Sequence, residues 1–170
     1  SLMSAAWFNE NPEVVQALLD AGADVEARTE DGDTPLMFAA WFNENSEVVQ
    51  ALLNAGADVE ARNEDGNTPL MWAARYNANP EIVQVLLNAG ADLEARTEDG
   101  WTSLMIAARE NSNPEVLQVL LDAGADVEAR DAEDGWTPLM FAAWDNENPE
   151  FLQVLLDAGA DVEASNEYGY

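Results

Sequence analysis

Apolar and polar positions fall in short blocks along this chain, and the blocks recur. Leu36 to Phe42 is apolar nearly all round, with Ala39 and Ala40 small enough for close helix approach, so the stretch predicts a short helix enclosed by neighbours. Thr34 followed by Pro35 starts it, because the hydroxyl accepts an orphan backbone N–H and proline fits the first helical position. A second start comes at Asn45. The equivalent Asn11, Asn79, Asn113 and Asn148 each precede Pro and Glu, which sets cap, proline and dipole-favoured carboxylate in order. Downstream, Val48, Val49, Leu52 and Leu53 keep the i, i+1, i+4, i+5 spacing of one apolar face, and Gly56 supplies a left-handed stop after a helix of about ten residues. From Ala57 to Asn67 the chain is polar and ends in the turn signal Glu-Asp-Gly, which recurs at Gly32, Gly66, Gly100 and Gly135.

The string Ala-Gly-Ala-Asp places its glycine at 22, 56, 90, 124 and 159, and residues 5–40 laid over 39–74 differ at five of 36 positions. Counting each unit from the Thr before Pro-Leu-Met gives units 1–33, 34–67, 68–101, 102–136 and 137–170 of one array. Helices this short are marginal alone, so stability has to come from stacking each unit on the next. A tetratricopeptide array has the same period of about 34 residues, and motif decides between the two. Thr-Pro-Leu-Met-x-Ala-Ala at 34–40, 68–74 and 137–143, followed by Glu-Val-Val-Gln-x-Leu-Leu-x-Ala-Gly-Ala-Asp-Val, resembles the ankyrin repeat over all 170 residues. The resemblance implies an all-α ankyrin-type solenoid of five stacked helix-turn-helix units with projecting turns. Two departures stand out. The family unit has about 33 residues, and here an extra one sits in Asn-x-Asn between the helices, as at 43–45, while Asp131-Ala132-Glu133 lengthens one turn further. The family's His after Thr-Pro-Leu is replaced by Met37, Met71, Met105 and Met140, which removes a polar contact between turns and offers apolar filling instead.

Composition then restricts the chemistry. Asp and Glu number 34 against six cations, all arginine, for a formal charge of -28. Such a field makes nucleic acid and membrane surfaces poor partners. Without Cys, His or Lys there is no thiolate or imidazole metal ligand, Ser-His-Asp relay or Schiff-base lysine. No carboxylate pair is set apart from the general acidity, and no Glu-Asp-Gly cluster fits an EF-hand. The expectation is therefore no enzyme activity, no cofactor and no bound metal. No apolar run reaches membrane-spanning length and no secretory signal opens the chain, so a soluble protein is expected, its compartment open with an intracellular one slightly favoured.

Function is sought where the copies differ, since a core site cannot hold Phe in one copy and Glu in another. One column reads Asp33, Asn67, Trp101, Trp136, Tyr170, a second Trp7, Trp41, Arg75, Arg109, Trp144, and a third Phe8, Phe42, Tyr76, Glu110, Asp145. All are expected to be solvent-reachable. By the ankyrin resemblance they map onto the concave groove that grips partner proteins, and Trp101, Trp136, Trp41 and Tyr76 are the strongest contact candidates. The bland alternative is that these rings cover neighbouring helix ends. Phe38, Trp72, Ile106 and Phe141 stay apolar throughout and are assigned to packing.

Three acidic rows run down the array, through Asp24, Glu26 and Glu30 and their equivalents, with Arg28, Arg62, Arg96 and Arg130 between them as local charge compensation. The acidity suits recruitment of a basic protein segment, or solubility alone. The function expected is a non-enzymatic protein–protein interaction module binding a partner through an aromatic-rich groove. A structural spacer or engineered scaffold with no partner of its own is the alternative. Both ends look cut from a longer array, and uncapped terminal units would favour end-to-end self-association.

Overall fold

The computed structural model describes residues 1–169. Its helices are α1 Leu2–Phe8, α2 Pro12–Asp20, α3 Pro35–Phe42, α4 Ser46–Asn54, α5 Pro69–Tyr76, α6 Pro80–Asn88, α7 Ser103–Glu110, α8 Pro114–Asp122, α9 Pro138–Asp145 and α10 Pro149–Asp157. The odd-numbered helices pack on one another in chain order, the even-numbered ones do likewise, and each pair packs internally. The result is a two-layer solenoid of helix pairs, with no strand among the described residues. One continuous apolar core runs through it from Leu2 to Leu155, including Leu36, Ala40, Val49, Leu70, Ile82, Leu104 and Leu117, all essentially inaccessible to solvent apart from Leu2 at 5%. Burying each of the larger of these side chains contributes about 1.5–3 kcal/mol, and no single pair could collect that alone.

The helix ends follow the local chemistry. Thr34 Oγ1 accepts from Met37 N at 3.3 Å, and Asn45 Oδ1 from Glu47 N at 2.9 Å. The methionine that replaces histidine does more than fill space, because Thr34 N donates to Met37 Sδ at 3.4 Å and Thr68 N to Met71 Sδ at 3.4 Å. Sulfur is a weak acceptor, but here it closes a reciprocal cap. At the other end of α4, Gly56 takes φ 94°, with Gly56 N donating to Leu53 O at 3.0 Å and Ala57 N to Leu52 O at 3.0 Å. That left-handed turn satisfies two orphan carbonyls at a conformation that costs glycine little.

The extra residue between the helices belongs to the joint between repeats. Asn43 is 2% exposed, and its Nδ2 donates to Ala6 O and Asn9 O of the preceding repeat, both at 3.0 Å, while its Oδ1 accepts from Asn45 N. Asn77 does the same to Ala40 and Asn43, Asn111 to Ala74 and Asn77, and Asn146 to Ala108 and Asn111. Each carboxamide thus satisfies two carbonyls left free where a first helix ends. The second Asn of Asn-x-Asn also reaches back, as Asn45 Nδ2 donates to Glu10 O at 2.7 Å.

The turns are stapled differently from the sequence expectation. Arg28 makes no ion pair with Glu26 or Glu30; its guanidinium donates to Gly32 O at 3.1 Å and to Arg62 O in the next repeat at 2.8 Å. Arg62, Arg96 and Arg130 repeat this, the last reaching Ser165 O. A planar fork of donors suits two carbonyls from adjacent turns better than two flexible carboxylates in water. The acidic rows likewise carry structure, for Glu26 Oε1 accepts from Asp58 N at 2.8 Å, and Glu60, Glu94 and Glu128 repeat the contact.

Replacing Asn77 by Ala strips partners from two carbonyls at a buried joint. The expected loss is about 2–4 kcal/mol of unfolding free energy, against about 1–2 kcal/mol in Asn79→Ala, which removes a cap and one exposed bond to Glu44 O. Denaturant titration of both variants checks the order, and equal losses would remove the carboxamide from its place in the joint.

Candidate partner-binding surface

The last turn of each first helix and the turn that precedes that helix face one another across a shallow recess. The three variable columns sit here, with unequal exposure. Phe8 at 74%, Phe42 at 50%, Tyr76 at 48% and Trp144 at 72% are open to solvent, as are Glu110 and Asp145. Trp7, Trp41, Trp101, Trp136, Arg75, Arg109 and Asp33 are half-buried. Asn67 is not solvent-reachable as expected, being only 6% exposed. It lines the recess it shares with Arg75 and Trp101, and its backbone N–H and carbonyl are both bonded to Asn63, which draws this short side chain into the turn. Tyr170, the last member of its column, lies outside the described residues.

Rings dominate the first three repeats. Trp7 stacks on Phe8, Phe38, Trp41 and Phe42 with centroids 4.7, 5.0, 5.7 and 5.4 Å apart. Trp41 continues the ladder to Trp72 at 4.5 Å and Tyr76 at 5.3 Å. Phe38 and Trp72, assigned to packing from sequence, are buried and half-buried in this ladder, and Ile106 and Phe141 pack beneath Trp101. Offset stacks of this kind add to area burial, so both readings of the rings hold, with inner members packing and outer members exposed.

One diagonal contact recurs at each joint. Trp7 meets Phe42 and Trp41 meets Tyr76 as stacked rings. At the next two joints the same diagonal is an ion pair, Arg75 Nε to Glu110 Oε2 at 3.3 Å and Arg109 Nε to Asp145 Oδ2 at 2.5 Å. These are the only ion pairs among the described residues. Both arginines lie in the last turn of a helix, where the dipole favours a cation. Arg109 also lies over the Trp101 ring, its Cζ 4.9 Å from the centroid. The columns were legible in the sequence, whereas the diagonals that join different columns were not, because they depend on the offset between repeats.

Two recesses open along this surface. One of about 320 Å³ is bounded by Asp65, Glu98 and Asp99 on the turns and by Arg75, Arg109 and Glu110 on the helices. The other, of about 270 Å³, lies between Trp136 and Trp144 and is edged by Asp131, Glu133 and Asp134. No group of three or more acidic side chains among the described residues is arranged to hold a metal ion. Burial pushes the Asp33 carboxyl above its ordinary value, a shift partly offset by the hydrogen bond from Asn63 Nδ2 at 2.9 Å and increased by Asp31 and Asp65.

A two-layer solenoid of stacked helix pairs whose successive turns are hydrogen-bonded to one another defines the class of protein. The family model for ankyrin repeats in three copies matches residues 2–97 and 78–166, and the chain belongs to the ankyrin repeat family. Comparison with curated proteins gives no match. Ankyrin arrays are generally protein–protein interaction modules and typically non-enzymatic scaffolds. Among the described residues no helix is long and apolar enough to cross a membrane.

Because the folded pKa of Asp33 is raised, its ionised form detracts from stability at neutral pH, and that cost vanishes once both states are protonated. Asp33→Asn keeps the acceptor for Asn63 and removes the charge. It is expected to be more stable than wild type at pH 7, with the gap closing as pH falls toward 3.8, the ordinary value, and absent below it. Thermal melts across that range decide it.

Proposed function

We propose that the chain is a non-enzymatic binding module that takes up an extended, basic segment of a partner protein along the recess between turns and first helices. One observation carries the reading: a continuous ladder of rings, open to solvent at Phe8, Phe42 and Tyr76, lies beside turns rich in carboxylate on a molecule of formal charge -28. Rings supply contact area at little rotamer cost, and the field raises the rate of encounter with a cation. With helices roughly 10 Å apart, five repeats extend about 40 Å, the length of about 12 extended residues. The same field disfavours nucleic acid and anionic membranes as partners.

Titration of an arginine- and lysine-rich peptide of that length is expected to give binding that weakens steeply with salt. The Phe42→Ala, Tyr76→Ala double variant, which removes two exposed rings, should bind about tenfold more weakly, in line with about 1.4 kcal/mol. Unchanged affinity in the variant would take the ladder out of the account. No binding by the wild-type protein at low salt would favour a spacer.

A specific observation favours end-to-end contact between copies as well. A groove of about 310 Å³ beside α9 and α10 is lined by Leu139, Met140, Leu152, Leu156 and Val162. In the preceding repeat the equivalents Leu104, Met105 and Leu117 are buried beneath the following pair. On the opposite face Val14 is 37% exposed, where Val48, Ile82 and Val116 are fully buried. The first repeat of a second copy would cover both faces with the geometry of an internal joint, a heterologous contact that need not close. Sedimentation should show mass rising with concentration in the wild type and a monomer for Leu156→Glu. A wild-type monomer throughout would exclude it.

A further inference from the structure

Arg109 displays how this surface holds a guanidinium, with an indole face on one side, Trp101 at 4.9 Å, and a carboxylate on the other, Asp145 at 2.5 Å. One repeat along, the same two ingredients recur, and the fifth repeat adds no cation of its own to them. The column that carries Arg75 and Arg109 carries Trp144 there. Trp136 and Trp144 meet edge to face, 5.6 Å between centroids at 86°, so their rings form two walls at a right angle, and Trp144 is 72% exposed.

The fourth repeat is also the one whose turn is lengthened, and it carries Asp131 where the third has Thr97, one carboxylate more than the recurrent Glu-Asp-Gly supplies. Ala132 N donates to Asp99 O at 3.2 Å, and Gly100, at φ 82°, lies so close that a Cβ there would stand 2.6 Å from that of Ala132. Asp131 Oδ1 accepts from Asp134 N at 3.2 Å and Trp136 N at 2.9 Å, which fixes the turn over the indole. Asp131, Glu133 and Asp134 thus line a recess of about 270 Å³ whose one cation, Arg109, is already paired with Asp145. They do not converge on a point as metal ligands would. A flat cation with several donors answers that arrangement, since it lies against rings while its edge reaches separated carboxylates.

We propose that the recess between the fourth and fifth repeats is an arginine seat, in which the guanidinium of a basic partner segment lies against Trp136 and Trp144 and pairs with Asp131 and Glu133. The assignment rests on the groove reading above and names the side chain that groove selects. Lysine is the weaker occupant, because a compact, strongly hydrated ammonium gains less from ring faces and cannot bridge two carboxylates through a planar edge.

The test uses capped peptides Lys-Gly-Ser-X-Ser-Gly-Lys with X as arginine, lysine, citrulline or leucine, titrated calorimetrically into the 170-residue chain, with the indole proton signals recorded in parallel. Arginine at X is expected to bind about fivefold tighter than lysine and more than that over citrulline, with the signal of Trp136 shifting. Trp144→Ala, at an exposed position, should abolish the preference. Asp131→Asn should reduce it about threefold while keeping the turn, since Asn63 serves the same backbone contact in the second repeat. Equal binding of arginine and citrulline peptides, tightest binding by leucine, or a preference that survives Trp144→Ala would overturn the seat while leaving the groove reading intact. No binding by any peptide would overturn both.

Discussion

One buried carboxamide per joint sets the geometry on which the rest depends. Where a first helix ends, its last carbonyls have no intrahelical donor, and at Asn43, Asn77 and Asn111 the neighbouring repeat supplies that donor from a side chain at most 4% exposed. A slip of one residue would leave a buried amide and two carbonyls unpaired, each at a cost of about 1–3 kcal/mol. Apolar faces alone would tolerate some sliding, because dispersion is non-directional. The asparagine ladder converts a greasy stack into one with a single register. Its effect travels outward, because the diagonal from Trp7 to Phe42 exists only if repeats are offset by that amount.

On the outside, the same diagonal is filled by two stacked ring pairs and then by two ion pairs. Partly exposed ion pairs contribute about 0–1 kcal/mol, too little to choose the register against the buried amides. The exposed columns are therefore released from structural duty, which is why one column reads Trp, Trp, Arg, Arg, Trp without disturbing the stack. The turns are less free. Arg28 and its equivalents and Glu26 and its equivalents bridge successive turns through backbone groups, so much of the cationic content is committed to scaffolding. The acidity left over belongs to side chains that no internal cation answers.

Elements fixed by neighbouring residues were legible in the sequence. Thr34 and Asn45 as caps, Gly56 as a stop and the face of Val48, Val49 and Leu52 each depend on contacts within one turn or so of helix. The joints were not legible, because Asn43 finds its partners 34 and 37 residues away. A signal existed: Asn9, Asn43, Asn77, Asn111 and Asn146 persist in all five copies while the next residue changes from Glu to Ala to Ser. A position held fixed beside a variable one, with no helix start following it directly, implies a buried partner. The same test fails for Asn67, which varies down its column and is buried nonetheless, because its backbone is tied to Asn63 at both N–H and carbonyl and its side chain is short. The arginine row misled for a related reason, since charge counting sees carboxylates two residues away and not carbonyls one repeat away.

The rigidity that follows from this construction bears on recognition. Rings held face to face over successive repeats, and Arg109 pinned by both an indole and a carboxylate, have given up their rotamer freedom during folding. A partner that lands on them does not incur that cost again, so the ordering entropy of association falls on the partner segment. An extended basic segment, itself without a core, loses most in being ordered, and it needs a surface that is already arranged. Here the field brings the segment in, while the fixed rings decide which side chains stay. Long-range attraction without fixed rings would accept any cation, and fixed rings without the field would wait long for one. The asparagine joints supply the fixed geometry, and the uncompensated carboxylates supply the field.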